Sequence, residues 1–181
     1  SDASSYMTGS NLVIDGGWTT WWSNLVFLEI DGTKIGARNP TYFIAEAGLN
    51  HNGRIDLAKK MIDEAHNADA DAIKFQTYKS ESFLSSSSQY FDFFKNVELS
   101  FEEFKEIKNY ADNLGITFLS TPFDFESSDY LKKIGVPAFK IASADLTNIP
   151  LLSHIAKMDL PMIISTGLGT MEEIEESINL C

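Results

Sequence analysis

The polar residues with the clearest chemical potential lie in or directly after short apolar stretches of this sequence. Lys74 and Gln76 are two positions apart, so both side chains would point to the same face of a strand. Lys140 lies in a second apolar stretch. The other candidates are carboxylates and hydroxyls near the ends of such stretches: Glu46, Thr121, Ser143, Asp145 and Ser165. Ammonium and hydroxyl groups that meet at one place are suited to hold a phosphate or a carboxylate.

Two interpretations of the strand lysines are open. A buried ammonium is costly unless it is paired, so Lys74 and Lys140 could form structural ion pairs with Glu46, Asp71 or Asp145. Alternatively, the two lysines act as an anion clamp. Glu46 and Asp145 are then candidates for acid–base catalysis or for holding sugar hydroxyls.

The histidines give a weaker signal. His66 and His154 lie in helical patterns, where surface or packing roles are expected, whereas His51 follows the first predicted strand and could reach the same face as the lysines. No two histidines have the spacing of metal ligands. We therefore assign no metal ligand within this chain.

Alternating strands and helices must position these residues. Buried strands are predicted at 42–45, 70–75, 116–119, 138–142 and 162–164. Helix starts are predicted at two capping boxes and two further N-caps, namely Ser100–Glu103, Thr170–Glu173, Asp124 and Asn148. Before them, Asp31-Gly32 between two apolar segments predicts a β-hairpin.

Repeated β-then-α order predicts a parallel sheet whose polar strand ends form the active site. A doubly wound sheet would bind ligands at the same ends, but the sequence has no G-x-G-x-x-G turn. The predicted fold class is α/β, an incomplete (β/α)8 TIM barrel containing the first five βα units, preceded by an N-terminal β-hairpin. A complete barrel uses about 250 residues, so we expect the remaining units to be missing.

Composition excludes several classes of function. The net charge of −12 disfavours bulk binding to nucleic acid or to anionic membranes. No apolar run approaches the ~20 residues of a transmembrane helix. The single cysteine, Cys181, allows no internal disulfide, which agrees with a cytoplasmic location.

The N-terminal segment has a different composition from the remainder, because all three tryptophans lie within residues 18–22. The sequence SYMTGSNLVIDGGW at 5–18 resembles the C-terminal tail of short-chain dehydrogenases. An N-terminal arm or a cloning remnant is the alternative. We therefore divide the chain into residues 1–24, the end of an upstream dehydrogenase domain without chemistry of its own, and residues 25–181, a truncated barrel.

From about residue 27 onward the sequence resembles the N-acetylneuraminate (sialic acid) synthase family. The motifs occur in family order: AEAGLNHNG at 45–53, IKFQT at 73–77, FLSTPFD at 118–124, KIASADLTN at 140–148 and ISTG at 164–167. The resemblance implies a transferase that condenses phosphoenolpyruvate with the aldehyde of an N-acetylmannosamine-type sugar. The products would be a nine-carbon 2-keto acid and phosphate, as in polysaccharide biosynthesis.

The resemblance also implies roles for individual residues. Lys74, Thr121, Lys140, Ser143 and Ser165 would hold phosphoenolpyruvate. Gln76 and Asp145 would face the sugar, and Glu46 would act as acid–base or electrostatic support. A divalent metal, Mn²⁺ or Mg²⁺, would activate the aldehyde in the complete enzyme through ligands absent from this chain. The complete enzyme would be a homodimer.

Two residues depart from the family pattern. Asp145 stands where the family often has Glu, which indicates a different sugar, and Asp69 stands where Gly is usual. The metal-binding histidines and the C-terminal antifreeze-like domain are absent, so we expect the fragment alone to be inactive. The alternatives are a Schiff-base aldolase barrel, which also uses strand lysines, and an inert or binding-only half-barrel.

Overall fold

In a computed structural model of the chain, residues 27–36 and 39–180 are described. The proposed dehydrogenase tail at 1–24 lies outside these residues. The chain divides into two compact units, Tyr42–Val136 and a second formed by Ser1–Thr41 with Pro137–Cys181. None of the helices in the described ranges has the length and apolar character needed to cross a membrane.

The element order alternates strands with helices, as the sequence predicts. It runs β1 (Phe27–Ile30), β2 (Thr33–Gly36), β3 (Ile44–Gly48), α1 (Ile55–Asn67), β4 (Ala72–Thr77), α2 (Ser80–Phe83), α3 (Phe91–Val97), α4 (Phe101–Leu114), β5 (Thr117–Pro122), α5 (Phe125–Ile134), β6 (Phe139–Ile141), a 3-10 turn (Ser143–Asp145), α6 (Ile149–Ala156), β7 (Met162–Ile164) and α7 (Met171–Ile178).

The predicted hairpin is present. Strands β1 and β2 pair antiparallel, with Ile30 opposite Thr33. The two turn residues, Asp31 and Gly32, have φ angles of 50° and 77°. Positive φ at both central positions is the type I′ geometry that matches the twist of the flanking strands, and it explains the choice of Asp-Gly.

In the unit Tyr42–Val136, strands β3, β4 and β5 pair in parallel and in chain order. One face of β4 carries Phe75, which stacks on Phe118 of β5 with ring centroids 5.4 Å apart. Helix α4 buries Phe104 and Ile107, two residues of its predicted apolar face. Because side chains alternate along a strand, the opposite face of β4 is left to Lys74 and Gln76.

Strands β3, β4 and β5 extend further than predicted at their C-terminal ends, whereas β6 ends at Ile141 rather than at 142 and β7 has the predicted bounds. Strand β3 is Ile44–Gly48 rather than 42–45, and it shifts register between Glu46 and Gly48. Strand β4 continues to Thr77 and β5 to Pro122. The sequence predicts that polar residues such as Glu46 and Thr121 follow the strands, whereas the backbones of both residues still pair with β4.

Two carboxylates fasten the segment between β4 and α4. Glu98 accepts hydrogen bonds from the backbone N and the hydroxyl of Ser80, at 2.9 and 2.7 Å. Asp124, the N-cap of α5, accepts from the backbone N of Lys79 at 2.8 Å and from the backbone N of Ser127 at 2.7 Å. Asp124 therefore joins the chain after β4 to the chain after β5.

In the second unit, β6 and β7 pair in parallel with Lys140 beside Ile163. The turn after β6 is fastened to α7, because the buried Ser177 hydroxyl donates to the backbone O of Leu146 at 2.6 Å. The Leu146 side chain occupies the space beside Gly169, where a Cβ would lie 2.1 Å from its Cδ2. The predicted capping box of α7, Thr170 with Glu173, is present.

We predict that Ser100→Ala lowers the free energy of unfolding by about 1 kcal/mol, the usual effect of losing an N-cap. The Ser100 hydroxyl accepts from the Glu103 backbone N, and the Glu103 carboxylate accepts from the Ser100 backbone N. Chemical denaturation measures the change. The exposed Ser86→Ala variant is the control, and equal stabilities of the two variants would contradict the prediction.

Candidate functional site

The first group of candidate residues lies on one face of the sheet β3-β4-β5, and we call Glu46, Lys74, Gln76 and Thr121 the Lys74 cluster. Glu46 is the register partner of Lys74, and Gln76 is the register partner of Thr121. Parallel pairing therefore places the four side chains side by side on three neighbouring strands. The prediction that Lys74 and Gln76 point to the same face of a strand is confirmed, and the register adds Glu46 and Thr121 to that face.

The Lys74 ammonium is buried and paired. Its Nζ lies 2.7 Å from Glu46 Oε2 and donates to Thr121 Oγ1 at 3.3 Å. Lys74 is 7% exposed, whereas the Glu46 side chain is 55% exposed. The ion pair between Lys74 and Glu46, one of the two interpretations of the strand lysines, is thus present. Its carboxylate, however, is accessible to solvent and to a ligand. An anion that reached Lys74 could replace Glu46 as its partner.

Gly48 makes room for this cluster. It has a φ of 54°, and a Cβ built on it would lie 3.3 Å from Glu46 Oε1 and 3.9 Å from Gln76 Nε2. The register of β3 against β4 shifts between Glu46 and Gly48, as at a β-bulge. A side chain at position 48 would therefore strain the backbone and press on Glu46. The sequence analysis did not single out Gly48, although glycine two places after a strand carboxylate is a usable signal.

The second group lies in the other unit, and we call Lys140, Ser143, Asp145 and Ser165 the Lys140 cluster. Lys140 Nζ donates to the Ser165 hydroxyl at 2.5 Å and to the backbone O of Ile141 at 2.7 Å. Lys140 and Ser165 thus meet at the ends of β6 and β7. Ser143 and Asp145 are the first and last residues of the 3-10 turn that follows β6.

Only one of the two carboxylate oxygens of Asp145 accepts a hydrogen bond from the described residues. Its Oδ1 accepts from Asn148 Nδ2 at 3.0 Å, whereas Oδ2 is buried and has no hydrogen-bond partner among the described residues. Burial raises the pKa of Asp145, and the hydrogen bond from Asn148 opposes that rise. A buried carboxylate oxygen without a donor is suited to accept from a hydroxyl or an N–H of a ligand.

His51 does not reach the face of the lysines. It is buried, and its ring lies against Phe75 with centroids 6.1 Å apart, on the face of β4 opposite to Lys74. Its Nδ1 accepts from the backbone N of Gly53 at 3.2 Å, and burial lowers its pKa. His51 is therefore a neutral packing residue of the loop after β3.

The acidic and histidine side chains among the described residues do not converge as a metal site requires. Within 27–36 and 39–180, no three side chains of His, Cys, Asp or Glu come close enough together to hold an ion. Glu46 faces an ammonium and Asp145 an amide, so neither belongs to a set of converging acidic or imidazole ligands.

Comparison with known proteins identifies the relatives of this chain. The sequence pattern of the NeuB family matches residues 61–181. An uncharacterized protein of Methanocaldococcus jannaschii is 50% identical over 153 residues, which cover 84% of this chain and 45% of that protein. The N,N'-diacetyllegionaminic acid synthase of Campylobacter jejuni is 40% identical over 154 residues, covering 77% of this chain and 46% of the synthase.

Solved structures agree with the predicted fold. The N-acetylneuraminic acid (sialic acid) synthetase of Leptospira borgpetersenii, solved with citrate, superposes with a TM-score of 0.82 at 41% identity. The match covers 86% of this chain and 54% of that chain. The predicted fold class, an incomplete (β/α)8 barrel after an N-terminal hairpin, is confirmed. This chain spans about half the length of the curated relatives it matches.

We predict that Asp145→Asn raises the melting temperature near pH 7, because it removes a carboxylate whose ionisation is opposed by burial. A raised pKa means that the folded wild type holds the proton more tightly than the unfolded chain. Wild type therefore has this contribution in full below the ordinary value of 3.8 and loses it as the pH rises through the folded pKa.

The advantage of Asp145→Asn should accordingly shrink as the pH falls and vanish below about pH 4. Circular dichroism melts at several pH values measure the difference. Asp69→Asn removes one negative charge at an exposed position and is the control. A difference in melting temperature that stays constant with pH would contradict the prediction.

Proposed function

The chain belongs to the NeuB family, and on this premise we propose that it forms part of a phosphoenolpyruvate-dependent synthase. In the proposed reaction, C3 of phosphoenolpyruvate bonds to the aldehyde carbon of an open-chain N-acetylmannosamine-like sugar. Water adds at C2 and the C2–O bond then breaks. Inorganic phosphate leaves, and a nine-carbon 2-keto acid remains.

The observation that best supports this proposal is the occurrence of two strand lysines, each beside a hydroxyl. Lys74 Nζ lies 3.3 Å from Thr121 Oγ1, and Lys140 Nζ lies 2.5 Å from Ser165 Oγ. Phosphoenolpyruvate has two anionic groups, a phosphate and a carboxylate. We propose that each cluster, within its own unit, can bind an anionic group of this kind, with Ser143 as a further hydroxyl donor in the Lys140 cluster.

Phosphoenolpyruvate would displace Glu46 from Lys74 on binding. The Glu46 side chain is 55% exposed, so it can move without leaving a buried carboxylate unpaired. Lys74, which is buried, would exchange one anion for another and stay neutralised. The released Glu46 carboxylate then lies next to the reacting carbons, where it can take up a proton or stabilise developing positive charge.

We propose that Gln76 in one unit and Asp145 in the other each supply a hydrogen-bonding group for the sugar. Gln76 offers an amide beside Glu46, and Asp145 offers the buried Oδ2 that has no donor among the described residues. Both groups can hydrogen-bond sugar hydroxyls or an acetamido N–H. Holding the aldehyde and phosphoenolpyruvate in one geometry supplies much of the rate, because it removes the entropic cost of a bimolecular encounter.

We propose that the whole protein acts in the cytoplasm as a homodimer and requires Mn²⁺ or Mg²⁺. The metal would supply Lewis-acid activation of the aldehyde. Its ligands are expected outside the described residues, within which no group of three acidic, imidazole or thiol side chains converges.

We predict that Lys140→Ala lowers kcat/KM for phosphoenolpyruvate by about 100-fold or more in the natural full-length protein, since a cation proposed to bind the substrate anion is lost. Release of inorganic phosphate in the presence of an N-acetylmannosamine-type aldehyde measures turnover. Lys157→Ala, which removes an exposed lysine of the same unit, is the control. Kinetics of Lys140→Ala that match those of Lys157→Ala would refute the assignment.

A further prediction separates the proposal from its two alternatives. The 181-residue chain alone should release no phosphate, because it spans about half of its relatives, whereas the full-length protein should release phosphate only with both substrates. Borohydride should trap no substrate on the protein. Trapping would favour the Schiff-base aldolase, and absence of turnover in the full-length protein would favour a binding-only role.

A further inference from the structure

The side-chain amide of Asn148 makes two hydrogen bonds, one to the first turn of α6 and one to Asp145. Its Oδ1 accepts from the backbone N of Leu151 at 3.4 Å and caps α6. Its Nδ2 donates to Asp145 Oδ1 at 3.0 Å. In addition, the Asn148 backbone N donates to the backbone O of Asp145 at 3.0 Å. One side chain therefore links the start of α6 to the carboxylate that closes the 3-10 turn.

The turn itself is fixed on its other side. Leu146, the residue after Asp145, is buried, and its backbone O accepts from the Ser177 hydroxyl of α7 at 2.6 Å. The backbone of the turn is thus held by α7, while Asn148 holds the Asp145 carboxylate. Rotation of the Asp145 side chain would break the Asn148 hydrogen bond without disturbing the Leu146 anchor.

We propose that Asn148 is a positioning residue. It orients the Asp145 carboxylate so that Oδ2, which has no protein donor among the described residues, can accept a hydrogen bond from the sugar. The inference rests on the proposed function, in which Asp145 faces the sugar. Two observations support it independently of the capping role. The Nδ2 donor is not needed for capping, because a cap uses only the side-chain oxygen. The donor occupies Oδ1, so that Oδ2 alone remains for a ligand.

The chemistry of Asn explains why this residue type suits the position. Asp or Ser at 148 would cap α6 equally well. Neither Asp nor Ser offers the amide N–H of Asn at the same distance, and Asp would place a second negative charge beside Asp145. Helix capping alone would allow Asp or Ser at position 148, whereas the hydrogen bond to Asp145 requires Asn.

Asn148→Ser separates the two roles, because the Ser hydroxyl keeps the cap and removes the amide donor. In the natural full-length protein, we expect the KM for the sugar to rise about tenfold while the KM for phosphoenolpyruvate changes by less than about twofold. The melting temperature should change little. Ser100→Ala is the matched control, since it loses a cap distant in sequence and should lower stability without changing the sugar KM.

A second readout needs no turnover. The Asp145 carboxyl can be titrated by carbon NMR in the natural full-length protein, and Asn148→Ser should raise its pKa, because a hydrogen bond to the ionised form is lost. Asn148→Asp should raise it further through like-charge repulsion and should also impair sugar binding. Asn148→Gln keeps the amide on a longer side chain. It should recover less than half of the sugar affinity that Asn148→Ser loses.

The outcomes are distinguishable. An unchanged Asp145 pKa in Asn148→Ser would show that the hydrogen bond does not act on the carboxylate and would overturn the inference. A raised pKa with unchanged sugar KM would overturn the positioning role and leave the proposed function intact. Absence of phosphate release by the wild-type full-length protein would overturn both.

Discussion

The ion pair between Lys74 Nζ and Glu46 Oε2, 2.7 Å long, joins β3 to β4 in the unit from Tyr42 to Val136. A nearly buried ammonium needs a partner, so in the absence of a ligand this pair favours the observed register of β3 on β4. The bulge at Glu46–Gly48 and the absence of a side chain at Gly48 both serve that contact. The apolar face of the same strands, with Phe75 stacked on Phe118, holds the register from the other side.

The two clusters use the same physical arrangement with different degrees of exposure. In each, a strand lysine lies next to a hydroxyl of the neighbouring strand, Thr121 for Lys74 and Ser165 for Lys140. A hydroxyl can accept from the ammonium and donate to an incoming anion at the same time, which a methyl group could not do. The arrangement therefore prepares each lysine for an anionic ligand while it remains satisfied in the absence of one.

Local chemistry made much of this structure predictable from the sequence. Asp31-Gly32 specified its turn because positive φ at both positions is tolerated there, and the Ser100 and Thr170 capping boxes formed as expected. Strand parity placed Lys74 and Gln76 on one face. Longer-range facts were not predictable: the placement of His51 against Phe75 depends on how a loop folds back, and the second hydrogen bond of Asn148 depends on the 3-10 turn. Register shifts such as that at Gly48 leave only a weak trace in composition.

Asp124 has a consequence for the motions of this unit. Its carboxylate accepts from the backbone amides of Lys79 and Ser127, which belong to the segments after two different strands. Opening of either segment breaks a hydrogen bond to the same carboxylate, so the stability of one segment depends in part on the other. Loss of this single side chain would therefore raise hydrogen exchange at both amides, although 45 positions separate Lys79 from Asp124 in the chain.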